Sequence, residues 1–404
     1  MPELKEVILS VTNRCNAQCR MCDIPGQKTE ELPFSKWEEV IKDAFALGAQ
    51  TVVFSGGEPL LREDIFELIS CVKINHMRVC ITSNGYFLTD GVAGRLAGSG
   101  VDVVNISVEG PKDIHDYLRG ANSFDKAVAA LENLKKHKIE STIATVISRY
   151  NYRYLTHVAE LARKYGVTTI KFQPFSEIFL NRSKKIKDFL FHSNDKEGLS
   201  SEINRVAKLC DEYCITTNPR GYLERIPLYV TEKKNKMHSV CAAIFISCPI
   251  DSAGTVYPCW VITDRNRLIG NIKEERLLNV WNSQRRNSII ERINKKGCPG
   301  CMMSCYDDNF GKEGIEIRIA ANINRLRKKG FCEYSRFMFR KWEKRIKFYL
   351  AYRGSLKTLI VRVRKLFVKR NPMYGLINQE EVRKALEETR EIKCIIQEEI
   401  RKST

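Results

Sequence analysis

Nowhere does this sequence contain a run of about 18 uncharged apolar residues, so no membrane-spanning helix is expected. Its first residues, Met1-Pro2-Glu3-Leu4-Lys5-Glu6, lack the basic-then-apolar order of a signal peptide. The chain is therefore expected to stay in the cytoplasm. It has no internal repeat and no low-complexity tract, and with 43% apolar and 28% charged residues its composition is that of an ordinary globular protein. Disordered, collagen-like and coiled-coil classes are excluded. Histidine is scarce, at 6 in 404 residues, and acidic residues are outnumbered, 48 Asp+Glu against 67 Lys+Arg. The imbalance is local. Residues 311 to 370 hold 19 Lys+Arg and 4 Asp+Glu, whereas the first 310 residues hold 42 and 37. Cysteine, in contrast, is plentiful at 15. In a short secreted chain that number would read as a disulfide scaffold; here it points to metal or cluster binding in a reducing compartment.

From Glu6 to Phe175, short β-branched runs alternate with longer helical patterns, the βαβ rhythm of a parallel sheet covered by helices. Strands are expected at residues 7–11, 51–54, 79–82, 103–107, 142–146 and 169–172. Ser35 and Gly48 read as the start and stop signals of the first helix. Six such units make an α/β fold, a partial (β/α)6 barrel, over residues 1–185. A helical connection should follow over 186–240, then a small cysteine-rich region over 241–335 and a basic amphipathic helical extension over 336–404. In parallel sheets, ligands gather at the carboxyl ends of the strands, and the chemistry is sought there.

Directly after the first strand, Cys15-Asn16-Ala17-Gln18-Cys19-Arg20-Met21-Cys22 places three thiols in one loop. Three thiolates hold an iron–sulfur cluster at three of its four corners and leave one iron without a protein ligand. Such an iron parallels the vacant position that distinguishes catalytic metal sites from closed structural ones. Structural zinc is the alternative, but it wants a fourth Cys or His nearby, and the next histidine is His76.

This Cys-x3-Cys-x2-Cys loop resembles the signature of the radical S-adenosylmethionine (SAM) enzymes. The resemblance implies that Cys15, Cys19 and Cys22 hold a 4Fe-4S cluster whose open iron chelates the methionine moiety of SAM. Reductive cleavage then gives a 5′-deoxyadenosyl radical that abstracts hydrogen from a substrate. Ser55-Gly56-Gly57-Glu58-Pro59 looks like the family's GGEP motif, expected to contact the SAM amino group, with the two glycines allowing close backbone approach. Ser83-Asn84 resembles the ribose-side motif, while Ser107 and Arg119 resemble the residues that reach the ribose and carboxylate. Met21 takes the apolar slot beside the adenine. Glu109 stands where many relatives carry Asp, which leaves its role open between ligand and substrate contact.

Farther along, Cys241-x12-Gly254-x4-Cys259 and Cys298-Pro299-Gly300-Cys301-x3-Cys305 resemble the auxiliary-cluster module called twitch or, in its longer form, SPASM. Gly254-Thr255-Val256-Tyr257-Pro258-Cys259 resembles its hairpin, and Ile269-Gly270-Asn271 before Val280-Trp281 its downstream helix. One auxiliary 4Fe-4S cluster would take Cys241, Cys259, Cys298 and Cys301, with Cys305 a rival for the last place. A second would draw on Cys248, Cys305 and Cys332 plus a non-cysteine ligand or an open iron, and a single cluster is the expectation.

Between Arg336 and Arg370, Phe, Trp, Ile and Leu alternate with Lys and Arg. This pairing suits an anionic membrane surface or a lipid-linked substrate, and nucleic acid less well, since none of the common RNA-binding signatures is present. The expectation is a radical SAM oxidoreductase-type enzyme that draws electrons from flavodoxin or ferredoxin. Its reaction is expected to be an oxidation or dehydrogenation aided by the auxiliary cluster, on a substrate such as a sugar. A peptide- or protein-modifying maturase is the alternative. A non-catalytic electron carrier or scaffold is the reading of another class, but a carrier needs neither an open iron nor a GGEP motif.

Overall fold

The computed structural model describes residues 4–27, 30–177, 186–232, 243–262, 268–296 and 300–303. The six expected strands all form: β1 (Glu6–Thr12), β2 (Thr51–Gly56), β3 (Arg78–Ser83), β4 (Val103–Ser107), β5 (Glu140–Ile147) and β6 (Thr169–Pro174). They pair side by side in chain order and all in parallel. Each crossover carries helix: α1 (Phe34–Ala46), α2 (Ile65–Ile74), α3 (Asp90–Gly98), α4 (Lys112–Arg119) with α5 (Ser123–Lys136), and α6 (Leu155–Tyr165). Leu9, Val52, Phe54, Val79, Ile81, Val104, Ile143, Ile170 and Phe172 are buried along the strands and belong to the main core. Burying such β-branched and aromatic side chains stabilises the sheet by about 1.5–3 kcal/mol each.

Ser35 does not cap α1. The helix begins at Phe34, with Pro33 in the cap position and no side-chain cap bond. Proline's fixed φ sets up the first turn without one. Gly48 ends the unit as expected, at φ +95°.

The connection forms α7 (Lys196–Glu212) and α8 (Arg220–Glu232). The segment between them seals the open flank of β6: Ile170 N–H donates to Thr216 O at 2.9 Å, and Phe172 N–H to Asn218 Oδ1 at 2.7 Å. An edge covered in this way offers no free strand for unwanted pairing.

The sheet does not stop at β1. After the short α9 (Ala243–Ile246), β7 (Ser247–Ile250) lies parallel to β1 with Cys248 opposite Val7. It then turns back through β8 (Thr255–Val256) to β9 (Gly270–Asn271). The result is one open nine-stranded sheet, β6-β5-β4-β3-β2-β1-β7-β8-β9. The cysteine-rich region thus grows out of the barrel's sheet rather than following it as a detached layer. It is fastened to α1 by buried Asp43, which accepts from the Arg276 guanidinium and from Leu278 N–H. Two helices close it, α10 (Leu277–Asn282) and α11 (Gln284–Lys296). The chain divides into two compact units, residues 1–331 and 332–404. The second unit, and with it the basic segment, lies outside the described residues.

Candidate active site

The cysteine loop leaves β1 at the carboxyl end of the sheet and is held from three sides. From α4, Leu118 O accepts from Arg20 N–H and Tyr117 O from Arg20 Nε, both at 2.9 Å. Arg119 Nη1 stands 3.9 Å from Cys19 Sγ. From β3, Asn84 Nδ2 donates to Asn16 Oδ1 at 2.9 Å and faces Cys15 Sγ at 3.7 Å. From β2, Gly57 N–H donates to Thr12 O at 2.7 Å and Glu58 N–H to Arg14 O at 2.8 Å. Cys22 N–H closes a turn onto Cys19 O.

The glycines of the GGEP motif have a reason that the sequence did not disclose. A Cβ on Gly56 would stand 2.2 Å from Thr12 O, and one on Gly57 2.1 Å from Arg14 O. Gly56 also has φ +126°. The close approach seen is to the stem of the cysteine loop. Pro59 follows, buried, at the start of a 3-10 turn. Buried Arg62 reinforces the same stem, donating to Val11 O at 2.9 Å and Leu32 O at 3.1 Å while gripping Asp64. Glu31 accepts from Thr12 and Arg14 beside it. Arg62 and Glu31 carry no motif, and sequence reasoning missed both.

Glu58 is fully buried. Its carboxyl accepts from Ser83 Oγ at 3.0 Å, Asn84 N–H at 2.8 Å and Leu60 N–H at 3.2 Å. Burial raises it to about 7, against the pull of these donors. Ser83 and Asn84 are thereby locked to the GGEP turn.

Glu109 is buried and paired. Its Oε1 accepts from Arg119 Nε at 2.7 Å and Nη2 at 2.6 Å, and its Oε2 from Val146 N–H at 2.8 Å. Burial raises the Glu109 carboxyl, and Arg119 and the Val146 amide pull it back. For Arg119, burial works against the charge, but Glu109 and the Cys19 and Cys22 thiols outweigh it and hold the guanidinium above its ordinary range. His115 accepts the Glu109 N–H on Nδ1 at 3.2 Å. Burial drives that ring down to about 3, so it stays neutral. Ser107 ends β4 buried nearby in the chain.

Met21 is buried with Cys19, Leu118, Phe175 and Phe189, an apolar floor that also takes in Cys22 and Tyr150. Burial pushes the Cys15 and Cys22 thiols up, so a positive partner or metal is needed to make them thiolates. Among the described residues no three His, Cys, Asp or Glu side chains converge as around a single ion. Three thiols in one loop are a ligand set for three corners of a cluster.

In the second cysteine region, Cys259 belongs to an apolar cluster with Ile8, Ile244, Ile262, Ile289, Ile290, Ile293 and Met303, and Cys301 packs against that cluster. Cys248 stands apart from them. It is a fully buried residue of β7 within the main core, and burial raises its thiol to about 12. Its surroundings are those of a core thiol. Cys241, Cys298, Cys305 and Cys332 lie outside the described residues.

The sequence matches two family models, the radical SAM superfamily over residues 9–162 and an iron–sulfur cluster-binding domain, SPASM, over residues 241–306. The chain belongs to the radical SAM superfamily. Its cofactors are SAM and a 4Fe-4S cluster, with further iron–sulfur binding in the SPASM domain. A relative, the AdoMet-dependent heme synthase of Methanosarcina barkeri (strain Fusaro), is 26% identical over 73% of this chain and 90% of its own length. The mycofactocin maturase MftC of Mycolicibacterium smegmatis is 27% identical over 73% of this chain and 74% of its own. In fold, the chain resembles Streptococcus suis SuiB bound to precursor peptide SuiA, with TM-score 0.58 and 18% identity. That likeness covers 70% of this chain and 66% of SuiB. Among the described residues no helix is long and apolar enough to cross a membrane.

Proposed function

We propose that this radical SAM enzyme is a maturase that modifies a peptide or protein. The observation that carries the radical chemistry is the three-thiol loop, pinned by Arg119 at Cys19 and by Asn84 at Cys15 at the carboxyl ends of parallel strands. A maturase among its relatives, and a like fold whose structure holds a precursor peptide, favour a peptide over a sugar. Cys15, Cys19 and Cys22 would hold the reductively active cluster. When bound and reduced, that cluster supplies the electron that cleaves the sulfonium of SAM.

This chain's own residues set the surroundings. Glu58, Ser83 and Asn84 form one hydrogen-bonded group on the β2–β3 side and are assigned to the SAM amino and ribose groups. Met21 and its apolar floor exclude water from the adenine side. Ser107, Arg119 and Glu109 line the β4 side, with Glu109 fixing the direction in which the Arg119 fork points.

Cys241, Cys259, Cys298 and Cys301 are assigned to a single auxiliary cluster, so total iron should approach about eight per chain. A flavodoxin or ferredoxin is the reductant proposed. Residues 336–370 are proposed to bring the enzyme to an anionic lipid surface, where its substrate would also be found; vesicle co-sedimentation across a salt series tests this.

The decisive experiment is anaerobic reconstitution followed by assay of 5′-deoxyadenosine with reductant and the peptides encoded beside the gene. A peptide that gains a new mass in step with 5′-deoxyadenosine supports the reading. Cleavage that no such peptide affects, but that a lipid-linked sugar stimulates, overturns it in favour of sugar oxidation.

A further inference from the structure

Among the described residues, four buried side-chain polar atoms lack a hydrogen-bond partner, and two of them, Arg286 Nε and Ser247 Oγ, lie in the auxiliary region. Arg286 is only 2% exposed. Its Nη2 donates to Ile244 O at 3.0 Å, and its guanidinium carbon sits 3.7 Å from the centre of the Trp281 ring. No carboxylate pairs with it among the described residues. A buried cation left in this way is costly, because the interior returns little of the hydration that it loses. Folds keep such a charge when something anionic completes it. Cys248 acts electrostatically on Arg286, but burial holds that thiol at about 12, neutral at physiological pH. Ile244, the acceptor of Arg286, belongs to the apolar cluster that also contains Cys259, with Cys301 packed against it. Ile289 and Ile290, on the next turn of α11 after Arg286, belong to it too. Through Ile244 and the Ile289–Ile290 turn, the orphaned cation is thus joined to the cluster that holds Cys259 and flanks Cys301.

We propose that Arg286 is the built-in counter-cation of the auxiliary iron–sulfur cluster that Cys259 and Cys301 help to ligate, a role that rests on the ligand set proposed above. Thiolate-ligated clusters are anionic, and their potentials follow net charge and the hydrogen bonds around them. A fixed guanidinium makes it easier to add an electron to that anion, as an acceptor of substrate electrons requires. Ser247 Oγ, next after α9, is a second donor with nothing yet to bind.

The test uses the full chain with Cys15, Cys19 and Cys22 replaced by Ala, reconstituted anaerobically, so that only the auxiliary cluster contributes to the spectrum. Arg286→Met should lower the midpoint potential in an EPR-monitored redox titration, and Arg286→Lys, which keeps the charge, should lower it less. Arg286→Met should also lower the melting temperature of the iron-loaded protein while leaving that of the apo-protein unchanged or higher, because there the relief of an uncompensated buried charge offsets the lost contacts to Ile244 O and Trp281. Loss of iron loading with an apo-protein as stable as the parent supports the same role. If Arg286→Met does not fold, Arg286→Lys carries the comparison alone. An unchanged potential, or equal destabilisation of apo and loaded forms, overturns the proposal. So does an Arg286 effect that vanishes in Cys248→Ala, which would make that thiol the partner. If the parent background binds no iron, the auxiliary ligand set fails first, which is a separate outcome.

Discussion

A side-chain carbon on Gly57 would fall 2.1 Å from the carbonyl oxygen of Arg14, well inside any real contact distance. Backbone cannot yield there as the end of a flexible side chain can. Gly57→Val should therefore push the cysteine loop off β2 and cost the barrel site its iron, about four atoms per chain. Gly57→Ala should do so in part. Glu58→Gln, whose backbone bond to Arg14 O is retained, should keep iron near the parent level. Iron and sulfide analysis of the three reconstituted variants checks this, and a Gly57→Val protein with full iron but weakened SAM binding would return the glycine to ligand contact.

The contrast also marks what the sequence could reveal. The six strands were legible because runs such as Val103-Val104-Asn105-Ile106-Ser107 carry their β preference locally. The cysteine triplet was legible because its spacing is its chemistry. What Gly56 and Gly57 avoid is set by Thr12 and Arg14, at and just past the end of a strand whose position only the fold supplies. The extension of the sheet was hidden for the same reason. Ser247-Cys248-Pro249-Ile250 is short and contains proline, and its strand character comes from lying beside β1. Arg286 reads as one more charge in a polar helix until its burial is known.

Glu58 gives the apo-protein a pH signature. Its folded value is about 7 against an ordinary 4.5, so between those values the folded state binds more protons than the unfolded one. Stability from this group is complete below about pH 4.5 and is lost as the pH rises through 7, by roughly 3 kcal/mol in all. Urea denaturation of the apo-protein across that range should show the decline, and Glu58→Gln should flatten it. An unchanged slope in the variant would place the raised carboxyl elsewhere.

The Glu109–Arg119 pair should respond unequally to loss of either partner. Arg119 without Glu109 remains charged in a buried place, whereas Glu109 without Arg119 can take up a proton. Glu109→Ala should thus cost about 3–5 kcal/mol of stability, and Arg119→Ala less. Because Arg119 also reaches Cys19 and its neighbours Leu118 and Tyr117 hold Arg20, Glu109→Ala should loosen the cysteine loop as well. Denaturant titration alongside iron content measures both effects; equal losses for the two variants would contradict the asymmetry.

Tyr222, fully buried in α8, donates its hydroxyl to Met302 O at 2.7 Å, tying the connection to the residue after Cys301. The hydroxyl has no catalytic pattern around it, and its effect should be mechanical. Tyr222→Phe keeps the ring packing but leaves a buried carbonyl unpaired, at a cost of about 1–3 kcal/mol. The cost falls on the segment that carries Cys301, so the auxiliary site should lose iron more readily than the barrel site. The comparison is made by treating reconstituted protein with a chelator and following each cluster by EPR. Faster auxiliary loss with unchanged barrel loss is the expected result. Parallel loss at both sites would mean that the hydroxyl supports the fold as a whole rather than the placement of Cys301.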